Sequence, residues 1–138
     1  MSGSIIRELK LLWAALGMQL VGRLLDLRWH VTHDEFEGTR QQFEAHWLLW
    51  LGVLATLWAA AGGRRSDELG QRAIAVVLGA AVLYVAAGIW HFGEHAAGND
   101  PQVAHVVLGV CQLAMYAGAA VLTSRYLRSR RLQPRSEH

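Results

Sequence analysis

Charged residues are scarce in this sequence of 138 amino acids, since Asp, Glu, Lys and Arg together make up 17% of it. A soluble domain carries about a quarter charged residues. Hydrophobic residues make up 53% of the chain, and they are gathered into long blocks instead of being spread evenly. The shortage of charge therefore argues against a water-soluble globule, and we expect an integral membrane protein.

Cysteine is almost absent, with Cys111 the single one in the chain. One cysteine excludes an internal disulfide framework and any CxxC redox or zinc motif. The formal net charge of +2 is too small to suggest nucleic-acid binding. The sequence also lacks a Gly-rich phosphate loop and a plausible Ser-His-Asp arrangement, which disfavours nucleotide and conventional hydrolase chemistry.

Four apolar blocks are each close to the length of about 20 residues that a membrane-spanning helix needs. They cover residues 9–27, 43–61, 73–92 and 103–123. Short connections between the blocks favour antiparallel neighbours, so the whole chain is predicted to be one all-α transmembrane four-helix bundle that ends in a basic tail over residues 124–138. Small residues four apart, such as Gly52 and Thr56 in the second block, would let helices approach closely.

Basic residues are distributed unevenly between the two ends of the predicted bundle. Ten of the 13 Lys and Arg residues lie at the end that holds both termini. Basic residues in short loops are retained on the cytoplasmic side, so we expect both termini in the cytoplasm and a multi-pass protein in the plasma (inner) membrane. The ten residues are Arg7, Lys10, Arg64, Arg65, Arg72, Arg125, Arg128, Arg130, Arg131 and Arg135.

Histidine is unusually frequent, with seven residues, of which six lie at or near the outer ends of the predicted spans. One imidazole from each span falls at about the same depth, so four side chains could converge there. Ionisable residues inside a membrane are costly and imply a use. The four are His30, His46, His91 and His105, and His33 and His95 lie close by.

The two halves of the chain resemble each other in this pattern. The pair Trp29-His30 recurs as Trp90-His91, 61 residues later, and His46 corresponds to His105, 59 residues later. Similar offsets are typical of an internal repeat with a change in loop length. The bundle is therefore predicted to consist of two duplicated helical hairpins.

Residue spacing within each half is suited to metal chelation. Asp26 and His30 are four residues apart, as are His91 and His95, and side chains at this spacing share one face of a helix. Imidazole and carboxylate donors suit zinc or copper, whereas the scarcity of sulfur argues against a soft-ligand copper(I) relay. The predicted ligands are Asp26, His30, His46, His91, His95 and His105, with His33, Asp34, Glu35 and Glu94 as secondary candidates. Asp26 has an alternative partner in Arg23, three residues earlier.

The stretch Asp26-Leu27-Arg28-Trp29-His30-Val31-Thr32, with His46 opening the next span, resembles the metal-binding helix pair of the C subunit of particulate methane and ammonia monooxygenases. The resemblance covers residues 26–46, and the gap from His30 to His46 is a few residues longer than in that family. It implies that Asp26, His30 and His46 ligate metal in a copper-containing membrane enzyme.

Three functions are compatible with these patterns. The first is an oxidoreductase-associated or metal-handling membrane protein with an extracytoplasmic copper or zinc site. The second is a b-type cytochrome-like bundle in which two facing histidines hold haem b. The third is a small accessory subunit without metal, which packs against other membrane subunits or against copies of itself.

Overall fold

The computed structural model describes residues 2–32, 39–63, 70–99 and 102–132, with the helical backbone alone at residues 2–4, 29–30, 32, 39–45, 63 and 132. Four α-helices account for nearly all of these residues: α1 (Ser2–Thr32), α2 (Thr39–Gly63), α3 (Gln71–Ala96) and α4 (Gln102–Leu132). The predicted all-α fold with four helices is confirmed for the part of the chain that the structure describes. Each predicted span lies inside one of these helices.

The helices continue beyond the apolar blocks into polar sequence. The clearest case is α4, which runs on through an arginine-rich segment as far as Leu132. Arginine is a strong helix former, and the hydroxyl of Ser129 donates a hydrogen bond of 2.8 Å to the carbonyl of Tyr126. The first part of the predicted basic tail is therefore helical.

Neighbouring helices of the bundle run antiparallel, as contacts between residues far apart in the sequence show. Trp13 in the first half of α1 donates a hydrogen bond of 2.9 Å to the hydroxyl of Thr123 in the second half of α4. Asp26 near the end of α1 meets His46 near the start of α2. Each helix packs on its two neighbours, so the four form a closed bundle. One end of the bundle holds the carboxyl ends of α1 and α3 with the amino ends of α2 and α4.

The bundle interior is apolar and tightly packed around the middle of the helices. Leu16, Val53, Val77 and Met115 contribute one fully buried side chain from each helix. Gly52 of α2 lies so close to α1 that a Cβ atom there would come within 2.8 Å of the backbone nitrogen of Gln19. The close approach expected from small residues at this position is thus present.

Two helical segments, Gln71–Ala96 and Gln102–Arg131, are long and apolar enough to cross a membrane. In α2 the apolar stretch is shorter and covers His46–Gly62. The outer surface is apolar on all four helices. Leu24, Leu54, Leu83 and Leu113 represent one helix each, and between 54% and 71% of each side chain's surface is exposed. Soluble monomers rarely expose an apolar surface of this extent.

Candidate metal centre

Three histidines from two helices meet at one end of the bundle. His91 and His95 lie on α3, and His105 lies on α4. Each offers one potential ligand atom, and these atoms all lie within 4.8 Å of one another. The ring centroid of His91 is 4.4 Å from that of His95 and 4.3 Å from that of His105, with the rings nearly edge to face. We call these three residues the histidine triad.

Local helix geometry accounts for the triad. His91 and His95 are separated by one helical turn and therefore share a face of α3. Because α3 and α4 are antiparallel, the last turns of α3 lie beside the first turn of α4, which brings His105 into the same layer. The helix ends directly after His95, where Gly98 adopts a φ of +79° and donates a backbone hydrogen bond of 3.0 Å to the carbonyl of His95.

His91 is the most buried member of the triad, with 6% of its surface exposed. Among the residues that the structure describes, its Nδ1 atom is buried and has no hydrogen-bond partner. A buried polar atom without a partner costs free energy unless an unplaced water or ion satisfies it. The environment of His91 therefore favours a ligand at this position.

A pair formed by one carboxylate and one imidazole lies next to the triad. Asp26 is 3% exposed, and its Oδ1 atom lies 2.8 Å from Nε2 of His46. Its second oxygen, Oδ2, accepts a hydrogen bond of 3.1 Å from the guanidinium of Arg23. Asp26 therefore contacts Arg23, the alternative partner expected from the sequence, and it also contacts His46, which the sequence suggested only as a second ligand of the same metal. We call Asp26 and His46 the Asp–His pair.

A cavity of about 30 Å³ adjoins both groups, with His46 of the Asp–His pair and His91 and His95 of the triad among its lining residues. The ring centroids of His46 and His91 are 6.2 Å apart. A volume of this size holds a water molecule or a ligand of a few atoms. The lining residues are Arg23, His46, Leu49, Trp50, Tyr84, Gly88, His91, Phe92, His95 and Leu108. The apolar side chains in this lining come from α2, α3 and α4.

On α3, a glycine makes room for an aromatic ring of α2 that lines the cavity. A Cβ atom at Gly88 would lie 2.9 Å from Cη2 of Trp50, so the absence of a side chain lets the indole ring lie directly against α3. Tyr84, one turn earlier on α3, is 4% exposed and also borders the cavity. The position of the indole therefore sets the width of the cavity.

The remaining predicted site residues are not members of the triad. The carboxylate of Glu94 accepts hydrogen bonds from the indole of Trp90 at 3.2 Å and from the amide of Asn99 at 2.8 Å. His30 lies on α1 one turn after Asp26, and its side chain is outside the described part of the structure. His33, Asp34 and Glu35 lie outside the described residues.

Several polar residues that shape the interior were missed by the sequence reasoning. Gln19 is fully buried, and its Nε2 atom donates hydrogen bonds to the hydroxyl of Thr56 at 2.7 Å and to the carbonyl of Gly52 at 3.3 Å. A single amide within an apolar block was the available signal, because polar groups inside a membrane span are expensive. Trp50 and Tyr84 gave no comparable signal, since aromatic residues in apolar blocks are ordinary.

Comparison of the chain with protein-family models, with curated proteins and with solved structures finds no match. The geometry of the site is therefore the basis for assigning a function.

Proposed function

We propose that the protein is a four-span membrane protein that binds one zinc or copper ion through His91, His95 and His105. The observation that carries this proposal is the convergence of three imidazole ligand atoms within 4.8 Å. Nitrogen ligands of a tetrahedral ion lie about 3.3 Å apart, given metal–nitrogen bonds of about 2.0–2.1 Å. Small rotations of the three rings would close the remaining distance.

The choice of metal follows from the donor atoms. The triad offers three imidazole nitrogens, which suit zinc and copper(II) better than calcium or magnesium, because these two prefer oxygen ligands. Within the part of the chain that the structure describes, the sulfur atom of Cys111 is buried on α4 and is not a member of the triad. This donor set supports a borderline divalent ion at the site.

The Asp–His pair adjoins the metal in this proposal. With Nε2 of His46 already 2.8 Å from Asp26, the ring is held in a fixed orientation beside the cavity. His46 is not a ligand in this proposal, so the pair borders the metal without binding it. We therefore assign Asp26 and His46 a supporting role at the wall of the cavity, and we keep His30 as a candidate ligand.

Space at the site disfavours haem. The rings of His91 and His105 have centroids 4.3 Å apart, which leaves no gap for a porphyrin between them. The cavity of about 30 Å³ beside the triad holds only a few atoms. A bare ion with small ligands fits this space better than a macrocycle does.

Membrane insertion of all four helices is supported by the exposed apolar side chains on each of them. The described basic residues near the start of α1 and the end of α4 lie at the bundle end opposite the triad. This distribution supports cytoplasmic termini and an extracytoplasmic metal site in the plasma (inner) membrane. The pairing of α1 with α2 and of α3 with α4 is compatible with two duplicated hairpins.

The test is metal binding by the purified protein. The chain would be prepared in detergent with a histidine-free affinity tag, stripped with a chelator, and equilibrated with zinc or copper(II) in turn. We expect about one tightly bound ion by elemental analysis and a higher thermal midpoint, because the ion binds only the folded bundle.

Variants locate the ion. His95→Gln combined with His105→Gln removes two of three ligands and should weaken metal binding by more than about 100-fold, exceeding the effect of a supporting residue. His138→Ala, near the end of the sequence, is the control with one histidine fewer and should bind as the parent does. A parent protein that binds neither metal would refute the proposal and favour a structural subunit of a membrane complex.

A further inference from the structure

A metal ion bound by the histidine triad would have three protein ligands, one fewer than tetrahedral coordination requires. Among the described residues, the triad is the one group of three or more His, Cys, Asp or Glu side chains whose potential ligand atoms all lie within 4.8 Å of one another. The ring of His46 is the next imidazole, and its centroid is 6.2 Å from that of His91. His46, His91 and His95 all line the cavity of about 30 Å³, which is large enough for one ligand of a few atoms.

We propose that this cavity is a binding site for a small monodentate anion that completes the coordination sphere of the metal. The inference rests on the proposed metal site and specifies what the open position takes. Zinc sites with three protein ligands keep the fourth position for water or an exogenous ligand.

Charge in the cavity favours an anion. Of the described residues that line it, Arg23 is the one with a permanent charge, and that charge is positive. Asp26, which is not among the lining residues, offsets the charge of Arg23 through the contact of 3.1 Å. A divalent ion on three neutral imidazoles then adds two positive charges that no described lining residue neutralises. Buried charges are strongly unfavourable without a counterion, so an anion is stabilised beside the metal.

The shape of the site restricts the anion to a small one. Trp50 lies directly against Gly88, and both residues line the cavity, so the indole occupies space beside the histidines that a larger ligand would need. Leu49, Phe92 and Leu108 form apolar walls, which offer no hydrogen bonds to a larger oxyanion. An anion of two or three atoms with one donor atom toward the metal fits these conditions, and azide is a suitable probe.

The experiment uses the full-length protein loaded with cobalt(II), which takes zinc-type sites and reports its coordination in the visible absorption spectrum. Cobalt content is measured first, and azide is then titrated. We expect the absorption bands to shift and the shift to saturate at one azide per cobalt.

Arg23→Gln should weaken azide binding about tenfold or more, because it removes the cation that borders the cavity. Arg28→Gln is the charge-matched control on the same helix, outside the cavity lining, and should leave azide binding unchanged.

The outcomes separate this inference from the metal proposal. A protein that takes up no cobalt and also binds neither zinc nor copper(II) overturns both. A cobalt-loaded protein whose spectrum ignores azide overturns the anion site alone. If azide binds only after His46→Gln, His46 is the fourth ligand and the open position is wrong. Equal weakening by Arg23→Gln and Arg28→Gln would mean that general surface charge, and not the cavity, controls binding.

Discussion

At the residue scale, the cavity beside the triad depends on a single missing side chain. Gly88 lets the indole of Trp50 lie against α3, where a Cβ atom would be only 2.9 Å from Cη2. Large aromatic rings move as rigid units, so even a methyl group here must displace the whole indole. Position 88 therefore couples the packing of α2 on α3 to the width of the cavity.

Gly88→Ala should lower the free energy of unfolding by about 1–3 kcal/mol, the usual cost of overpacking a core. The tryptophan fluorescence should shift at the same time, because the indole of Trp50 changes its surroundings. Both are measured in detergent micelles, with unfolding followed by circular dichroism.

Gly79→Ala is the matched control for Gly88→Ala. It lies on the same helix, and a Cβ atom there has no neighbour within 4 Å. Alanine is a better helix former than glycine, so this change should be neutral or stabilising by up to about 1 kcal/mol. Equal destabilisation by the two substitutions would show that the loss at Gly88 comes from the helix itself and not from the indole.

At the element scale, α1 and α2 are joined by a close backbone approach near the Asp–His pair. A Cβ atom at Gly22 would lie 2.7 Å from the backbone nitrogen of Leu49. The backbone of α2 cannot rotate away as a side chain can, so a larger residue must push the helices apart. Gly22 precedes Asp26 by one helical turn, and this separation would lengthen the contact of 2.8 Å between Asp26 and His46.

Gly22→Ala and Asp26→Asn should therefore be non-additive. Each weakens the Asp–His pair, so the loss of unfolding free energy in the double variant should be smaller than the sum of the two single losses, by about 0.5 kcal/mol or more. Gly17→Ala, at an open position of α1 with no neighbour within 4 Å of its Cβ, should combine additively with Asp26→Asn. Additive behaviour of both pairs would contradict a mechanical link between Gly22 and Asp26.

The sequence predicted the elements well because their causes are local. Four helices follow from apolar blocks of spanning length, and the spacing of His91 and His95 already indicated one shared helix face. The contact of His105 with His91, and the separate pairing of His46 with Asp26, depend on how each helix is rotated about its axis. That rotation is set by packing between helices, such as the indole of Trp50 on Gly88, which no single segment of sequence encodes.

At the scale of the whole molecule, the two ends of the bundle differ in chemistry. The histidine end joins the triad, the Asp–His pair and the cavity, whereas Arg7, Lys10 and Arg72 lie at the opposite end with the arginines of α4. Exposed apolar side chains occupy the surface between the two ends. This order of basic end, apolar belt and histidine end matches a protein that is inserted with its basic end in the cytoplasm.

Cysteine labelling tests this orientation in cells. In a Cys111→Ala background, which removes the buried native thiol, single cysteines would replace Ala97 at the histidine end and Ser129 at the basic end. Both positions are exposed, so the reagent can reach either thiol when it is on the same side of the membrane. A membrane-impermeant maleimide added to intact cells should label Ala97→Cys and leave Ser129→Cys unlabelled. After the membrane is permeabilised, both should react, which controls for the reactivity of Ser129→Cys.

Labelling of Ser129→Cys alone in intact cells would invert the topology and place the proposed metal site in the cytoplasm. Labelling of both in intact cells would mean that α4, which lies between the two positions, does not cross the membrane, and that would overturn the four-span arrangement.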